Sequence, residues 1–191
     1  MSTFSRRDFL SVAALATLGG WVPRGFAAQA ALKAPVQLVD AEMLDVRRGR
    51  KLRLVRDVIG DRVVVVNFFF TGCSTVCPVQ SMALTRAQAQ LGTALGAKVA
   101  LVSISIDWFG DTEQAVRKFA KAHRAGNDWY FLKAPTDIVD EVRRGFDSYA
   151  PLRDNHPPVI AVGRAGAKQW SRLYGLPSGD VIAQEVQAWL S

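Results

Sequence analysis

Cysteine, histidine and methionine are scarce in this chain of 191 residues. Cysteine occurs twice (Cys73 and Cys77), histidine twice (His123 and His156) and methionine three times (Met1, Met43 and Met82). Two cysteines exclude a disulfide-rich scaffold and a four-cysteine zinc site. The longest apolar stretch near the N-terminus, Phe9 to Gly20, is about a dozen residues, short of the roughly 20 a membrane-spanning helix needs. After residue 31 there is no internal repeat, low-complexity tract or interdomain linker. No helix-turn-helix, zinc-finger or aromatic-interleaved basic signature occurs, so no common nucleic-acid module is indicated. What remains is 49% apolar and 21% charged, a composition that builds one ordinary core.

The first thirty residues read as an address. Ser5-Arg6-Arg7-Asp8-Phe9-Leu10 places two arginines directly ahead of the apolar run, and Ala28-Gln29-Ala30 offers the small residues a signal peptidase reads. The segment resembles the twin-arginine (Tat) export signal of bacteria. Arg24, between the apolar run and the cleavage site, fits that signal as well. The expected organisation is a Tat signal peptide at 1–30 and one domain at 31–191, exported to the periplasm. Membrane association is expected only if the signal is retained as an anchor.

The formal charge of +7 falls to +5 without residues 1–30. Arg47, Arg48, Arg50, Lys51, Arg53 and Arg56 lie within ten positions, interleaved with Val46, Leu52, Leu54 and Val55. A solvated hairpin or edge strand accounts for this run, with an anionic docking patch as the alternative. Export argues against a nucleic-acid partner.

The rest of the chain alternates strand and helix. Val63–Phe70 and Val99–Ile106 are continuous β-branched and apolar runs, suited to strands buried on both faces of a sheet. Pro78 suits the first turn of a helix running to about Leu91. Asp111-Thr112-Glu113-Gln114 starts a second helix, with helix formers to Arg124. A short strand at Trp129–Leu132, a helix from Thr136 to Phe146, a hairpin from Val159–Val162 to Lys168–Leu173 and a helix over Ser178–Leu190 follow. This order predicts an α/β fold, with a βαβ core extended by antiparallel strands.

The cysteines sit at the junction of the most buried strand with the helix begun by Pro78. A disulfide closing so short a loop would stabilise the fold by only about 2 kcal/mol, against about 4.7 for a hundred-residue loop. A helix N-terminus, by contrast, favours thiolate, which is both the nucleophile of disulfide exchange and a soft metal ligand. With Cys77 opening the helix and Cys73 one turn before it, both sulfurs can face one point. Two sulfurs suit copper(I) or zinc, with a histidine as the obvious third ligand. His123, in the polar helix end Lys118–Arg124, is expected to face solvent. His156 lies in the loop Leu152–Pro158 just before a strand, and loops of such sheets converge at one edge.

Phe68-Phe69-Phe70-Thr71-Gly72-Cys73-Ser74-Thr75-Val76-Cys77-Pro78 resembles the strand-loop-helix signature of the Sco/SenC family, whose mark is Cys-x-x-x-Cys-Pro. Ser103-Ile104-Ser105-Ile106-Asp107 with Asp111-Thr112 resembles its Ser-x-Asp-Pro…Asp-Thr stretch, with Trp108 in place of the proline. Asp154-Asn155-His156 stands where the family has its loop histidine. The resemblance runs from about residue 36 to 190. It implies a thioredoxin-like fold, a central mixed β-sheet flanked by helices in a single domain. It also implies copper, as Cu(I) or Cu(II), bound by Cys73, Cys77 and His156. The implied role is a metallochaperone that delivers copper to a receiving protein, such as a cytochrome c oxidase subunit, or matures its copper site.

A second reading keeps the same cysteines in another class: a periplasmic thiol–disulfide oxidoreductase in which one of Cys73 and Cys77 attacks and the other resolves. Either reading calls for a thiol reductant, since an exported dithiol tends to oxidise. Zinc is open on ligand chemistry alone. The scarcity of methionine argues against a methionine-rich copper carrier, and Met82 is expected in the helix core. Trp108 and Phe109 are expected near the cysteines, as a docking surface or as a lid. Pro158 resembles the cis-proline that faces the cysteines of thioredoxin-like proteins, and either isomer is open from the sequence.

Overall fold

The computed structural model describes residues 31–191, so the leader and cleavage site expected at 1–30 lie outside the described residues. Eight strands form one sheet: β1 (Leu32–Ala34), β2 (Glu42–Asp45), β3 (Arg50–Arg53), β4 (Val63–Phe69), β5 (Val99–Ser105), β6 (Trp129–Lys133), β7 (Val159–Gly163) and β8 (Trp170–Tyr174). Their spatial order is β1-β8-β7-β4-β5-β6-β2-β3. The parallel strands β4, β5 and β6 lie at the centre, and antiparallel strands extend the sheet on both sides. Four helices accompany them: α1 (Val76–Leu91), α2 (Glu113–Ala122), α3 (Thr136–Gly145) and α4 (Gly179–Leu190). Among the described residues no helix is long and apolar enough to cross a membrane.

Every residue of β4 and β5 is buried, which is why neither sequence alternates polar and apolar side chains. Two of their polar side chains, Asn67 and Ser103, are linked across the sheet, although Asn67 Nδ2 has no partner. Trp129 Nε1 donates to Ser103 Oγ at 2.9 Å, and Ser103 Oγ donates to Asn67 Oδ1 at 2.6 Å. Phe68, Phe146 and Trp170 pack edge to face on the side of β7 and β8. Gly163 is required there, because a Cβ would stand 2.2 Å from the Trp170 ring. Thr112 and Ser178 cap α2 and α4, accepting from Ala115 N at 3.1 Å and Val181 N at 3.3 Å, an interaction typically worth about 1 kcal/mol.

The basic run falls where a hairpin was expected. β2 and β3 pair antiparallel, and β3 is an outer edge of the sheet. Asp45, Glu42, Asp40 and Asp57 neutralise Arg48, Lys51, Arg53 and Arg56 respectively.

Three local expectations need correcting. Met82 is 58% exposed on α1 rather than in its core, because Ser81, Leu84 and Ala87 supply the buried face. His123 is half-buried rather than solvent-facing, its ring 4.6 Å from that of Phe119. Cys77 is the second helical residue, since α1 begins one residue earlier at Val76. All peptide bonds among the described residues are trans, which settles the isomer of Pro158.

Candidate metal and thiol site

The parallel strands all point their C-terminal ends at one edge of the sheet, and β7 starts there. Four segments therefore meet: Thr71–Thr75 after β4, Ile106–Thr112 after β5, the end of β6 at Lys133, and Leu152–Pro158 before β7. Such an edge is where ligands bind in open α/β sheets. A cleft of about 210 Å³ opens between the first and last of these segments, lined by Phe70, Cys73, Thr75, Arg153 and His156 among others.

Cys73 is half-buried in the cleft wall, while Cys77 is 0% exposed and does not line the cleft. Both are free thiols. The N-terminus of α1 has no side-chain oxygen cap, and its first turn holds no acidic residue. The Cys73 sulfur takes that place, accepting the Cys77 N–H at 3.4 Å. An otherwise orphaned helix donor thus stabilises negative charge on sulfur.

The two thiols respond to opposite influences. Partial burial disfavours the Cys73 thiolate, but hydrogen bonds from the Cys77 backbone and thiol and from Thr75 outweigh it and lower its pKa to about 7. Thr75 Oγ1 lies 3.8 Å from Cys73 Sγ. Burial pushes Cys77 up to about 12, reinforced by Cys73 and by the negative charge of Asp111. At neutral pH the half-buried thiol is therefore ionised in about half of the molecules, and the fully buried one is protonated.

His156 enters the same cleft from the opposite wall. It is half-buried, its ring edge-on to Phe70 with centroids 6.4 Å apart, and Nδ1 is 3.3 Å from Pro157 O. Burial lowers its pKa first of all, and repulsion from Arg143 adds to this despite the hydrogen bond at Pro157 and the attraction of Asp154. The imidazole is accordingly held neutral, the form that ligates metals. The fold thus brings Cys73 and His156 to one cleft, while Cys77 is buried outside its lining and joined to Cys73 by its backbone N–H. Among the described residues, however, no three His, Cys, Asp or Glu side chains stand together as a ready metal cage.

Two supports were not visible in the sequence. The first is Asp111, buried behind the cysteine loop. Its carboxylate accepts from Thr71 N at 2.7 Å, Thr71 Oγ1 at 2.6 Å and Ser105 Oγ at 2.6 Å, and Lys133 Nζ donates to its carbonyl. One side chain thereby ties the loops after β4 and β5 together. Asp111-Thr112 carried a signal, as a helix start and as part of a family-like stretch, but neither tied its carboxylate to Thr71. The second is Arg153, whose guanidinium lies 4.4 Å over the Phe70 ring and pairs with Asp107 at 2.5 Å and Asp154 at 2.9 Å. It fastens the histidine loop to the loop after β5. No sequence signal pairs two residues so far apart.

Trp108 lies over Lys133 Nζ at 5.0 Å, whereas Phe109 is 86% exposed. The pair is not a lid folded over the core. With Leu152, which is also exposed, it lines a second groove that shares Arg153 and Asp154 with the cleft.

The SCO1/SenC family model matches residues 50–159, more than half of the chain. The chain belongs to the SCO1/SenC family. No curated protein sequence matches it. Among solved structures it is similar to a SCO1/SenC family lipoprotein from Bacillus anthracis, at 18% identity and a TM-score of 0.70, covering 83% of this chain and 98% of that one. It is similar to BsSco, a Sco family cytochrome c oxidase assembly protein with an identified disulfide switch, at 21% identity and a TM-score of 0.66, over 82% and 96% of the two chains. It is also similar to ScoI of Arabidopsis thaliana, solved with copper bound, at 18% identity and a TM-score of 0.65, over 83% and 97%. At these identities the likeness concerns the fold, which is the expected thioredoxin-like one: a mixed sheet flanked by helices in a single domain. Within this SCO1/SenC chain, the matched segment runs from the β3 strand to the first residue of β7, and so takes in both cysteines and His156.

Proposed function

We propose that this SCO1/SenC protein is a copper metallochaperone whose cargo is held by Cys73, Cys77 and His156. The observation that carries this reading is one cleft lined by both Cys73 and His156, with the buried Cys77 donating its backbone N–H to the Cys73 sulfur. Two sulfurs and a neutral imidazole are a soft, low-coordinate donor set suited to copper(I). The thiols lose their protons on binding, and Cys73 is already near that state at neutral pH. Copper-bound structures of similar fold support the choice of metal. Export by the leader at 1–30, delivery to a receiving protein such as a cytochrome c oxidase subunit, and reduction by a thiol donor complete the proposal.

Anaerobic copper(I) titration of the reduced protein tests it. The expected result is one copper per chain, with affinity lowered by at least about tenfold in Cys73→Ala and in His156→Ala. Equal affinity in either variant, or no stoichiometric binding in the parent, would overturn the reading.

The lowered pKa of Cys73, about 7, favours a second reading, thiol–disulfide exchange. The Cys73 thiolate would attack a partner disulfide, release one partner thiolate and form a mixed disulfide. Cys77 thiolate would then attack Cys73 Sγ, expelling the second partner thiolate and leaving this protein oxidised and its partner reduced. Burial keeps the Cys77 thiol protonated, so the resolving step first requires removal of a proton from a buried group. That handicap on the resolving step favours the metal reading. A metal ion displaces the proton itself.

A further inference from the structure

The far edge of the sheet carries a feature that neither thiol reading uses. Arg117 and Lys121 are four residues apart on α2, and therefore share one face of the helix. Arg124 follows just beyond the helix end, with φ of 50°. Facing them is Arg47, from the turn between β2 and β3. Together these four cations line a groove of about 420 Å³ whose only other lining residues are Ala120 and Ala125. No carboxylate lines the groove.

The groove is held by the protein backbone. Arg47 uses one terminal nitrogen to donate to Trp129 O at 2.9 Å and to Gly126 O. Arg117 likewise uses one terminal nitrogen, donating to Val46 O at 3.0 Å and to Glu113 at 2.9 Å. Both guanidiniums are thereby oriented while their remaining N–H donors face no protein acceptor. Among the described residues, Arg47, Lys121 and Arg124 form no ion pair. This contrasts with Arg48, Lys51, Arg53 and Arg56 of the same basic run, each of which has its own carboxylate. Burial and the neighbouring Arg48 act against the charge on Arg47 and outweigh the attraction of Asp45, so a bound anion would relieve that crowding.

The ligand class follows from charge and shape. Arginine forks match oxyanions in bidentate fashion, and a phosphate monoester brings about two negative charges and several acceptor oxygens. A single carboxylate would leave most of the four cations unmatched. The two alanines keep the floor shallow enough to leave the space open.

We propose that this groove binds a phosphate-bearing anion through Arg47, Arg117, Lys121 and Arg124. A phospholipid headgroup and a soluble phosphate ester present the same chemistry, and the experiment separates them. The site lies at the opposite sheet edge from the thiols and does not depend on the copper reading.

The full-length protein is titrated with inorganic pyrophosphate by calorimetry at low ionic strength. Flotation with phosphatidylglycerol vesicles is compared with flotation on phosphatidylcholine. The groove variant is Lys121→Gln with Arg124→Gln, whose side chains make no protein hydrogen bond. A charge-matched control, Arg50→Gln with Lys98→Gln, lies outside the groove. The expected result is saturable binding in one or both arms, weakened at least about tenfold by the groove pair and less than about twofold by the control. Groove-dependent pyrophosphate binding without flotation assigns a soluble phosphate, and groove-dependent flotation assigns the lipid headgroup. No binding in either arm, or equal losses in the two pairs, would overturn the proposal.

Discussion

The two ends of the parallel strands use charge in opposite ways. At the C-terminal end the charged groups around the thiols are matched: Asp111 has three donors, Arg153 has two carboxylates and an aromatic face, and Cys73 has the helix N–H. At the N-terminal end Arg47, Lys121 and Arg124 line a groove with no carboxylate partner. Matched charge fixes geometry and tunes a reactive group. Unmatched charge leaves capacity for something that arrives from outside. The chain's excess of basic residues is therefore uneven in meaning, and its sum says less than its placement.

The sharpest contrast within the thiol end is between its two sulfurs. Iodoacetamide should modify Cys73 with a rate that rises through a midpoint near pH 7. In the folded protein Cys77 should react at least about a thousandfold more slowly at that pH, because it is both buried and protonated. Unfolding in guanidinium should bring the two rates together. Mass spectrometry of the modified peptides checks this, and similar native rates would remove the asymmetry on which the site description depends.

Next in size is the loss of the buried tie. Asp111→Ala leaves the Thr71 N–H and the Ser105 hydroxyl without their acceptor, at an expected cost of about 2–4 kcal/mol in urea unfolding. The same measurement on Lys121→Gln should move stability by less than about 0.5 kcal/mol, since that side chain is exposed and unpartnered. Comparable losses would mean that the two ends are not built on different principles.

The smallest effect is expected at the clasp on the histidine loop. Arg153→Ala frees Phe70 and Asp107 and should raise the alkylation rate of Cys73 a few-fold by opening the cleft. The pH midpoint should stay near 7, because the groups that lower it are Cys77 and Thr75 rather than Arg153. A shifted midpoint with an unchanged rate would show that the guanidinium acts electrostatically instead.

The parts legible from sequence share a physical trait: each is local or strongly periodic. The Val63–Phe70 run read as a central strand because burial on both faces removes alternation. Cys73 and Cys77 were informative because a strand-to-helix junction constrains both at once. The three-residue β1, with only Leu32, Lys33 and Ala34, offered no pattern to read, and the π-helical turn at Leu54–Ile59 fell inside the basic run. The Arg153–Asp107 pair and the reach of Asp111 to Thr71 depend on loops meeting across the sheet edge, which no local signal encodes. Met82 misled because Ser81, Leu84, Ala87 and Leu91 fill the inner face of α1, leaving Met82 on the outer one.

Placing Cys77 beneath Cys73 also gives the cleft an order in time. A partner's sulfur can approach only from the open side, where Cys73 and His156 stand. In the proposed transfer those two bonds exchange first, and the bond to Cys77 is the last to break. Under that proposal the cargo would be handed over by successive substitution from one side, bound at each stage to one protein or the other.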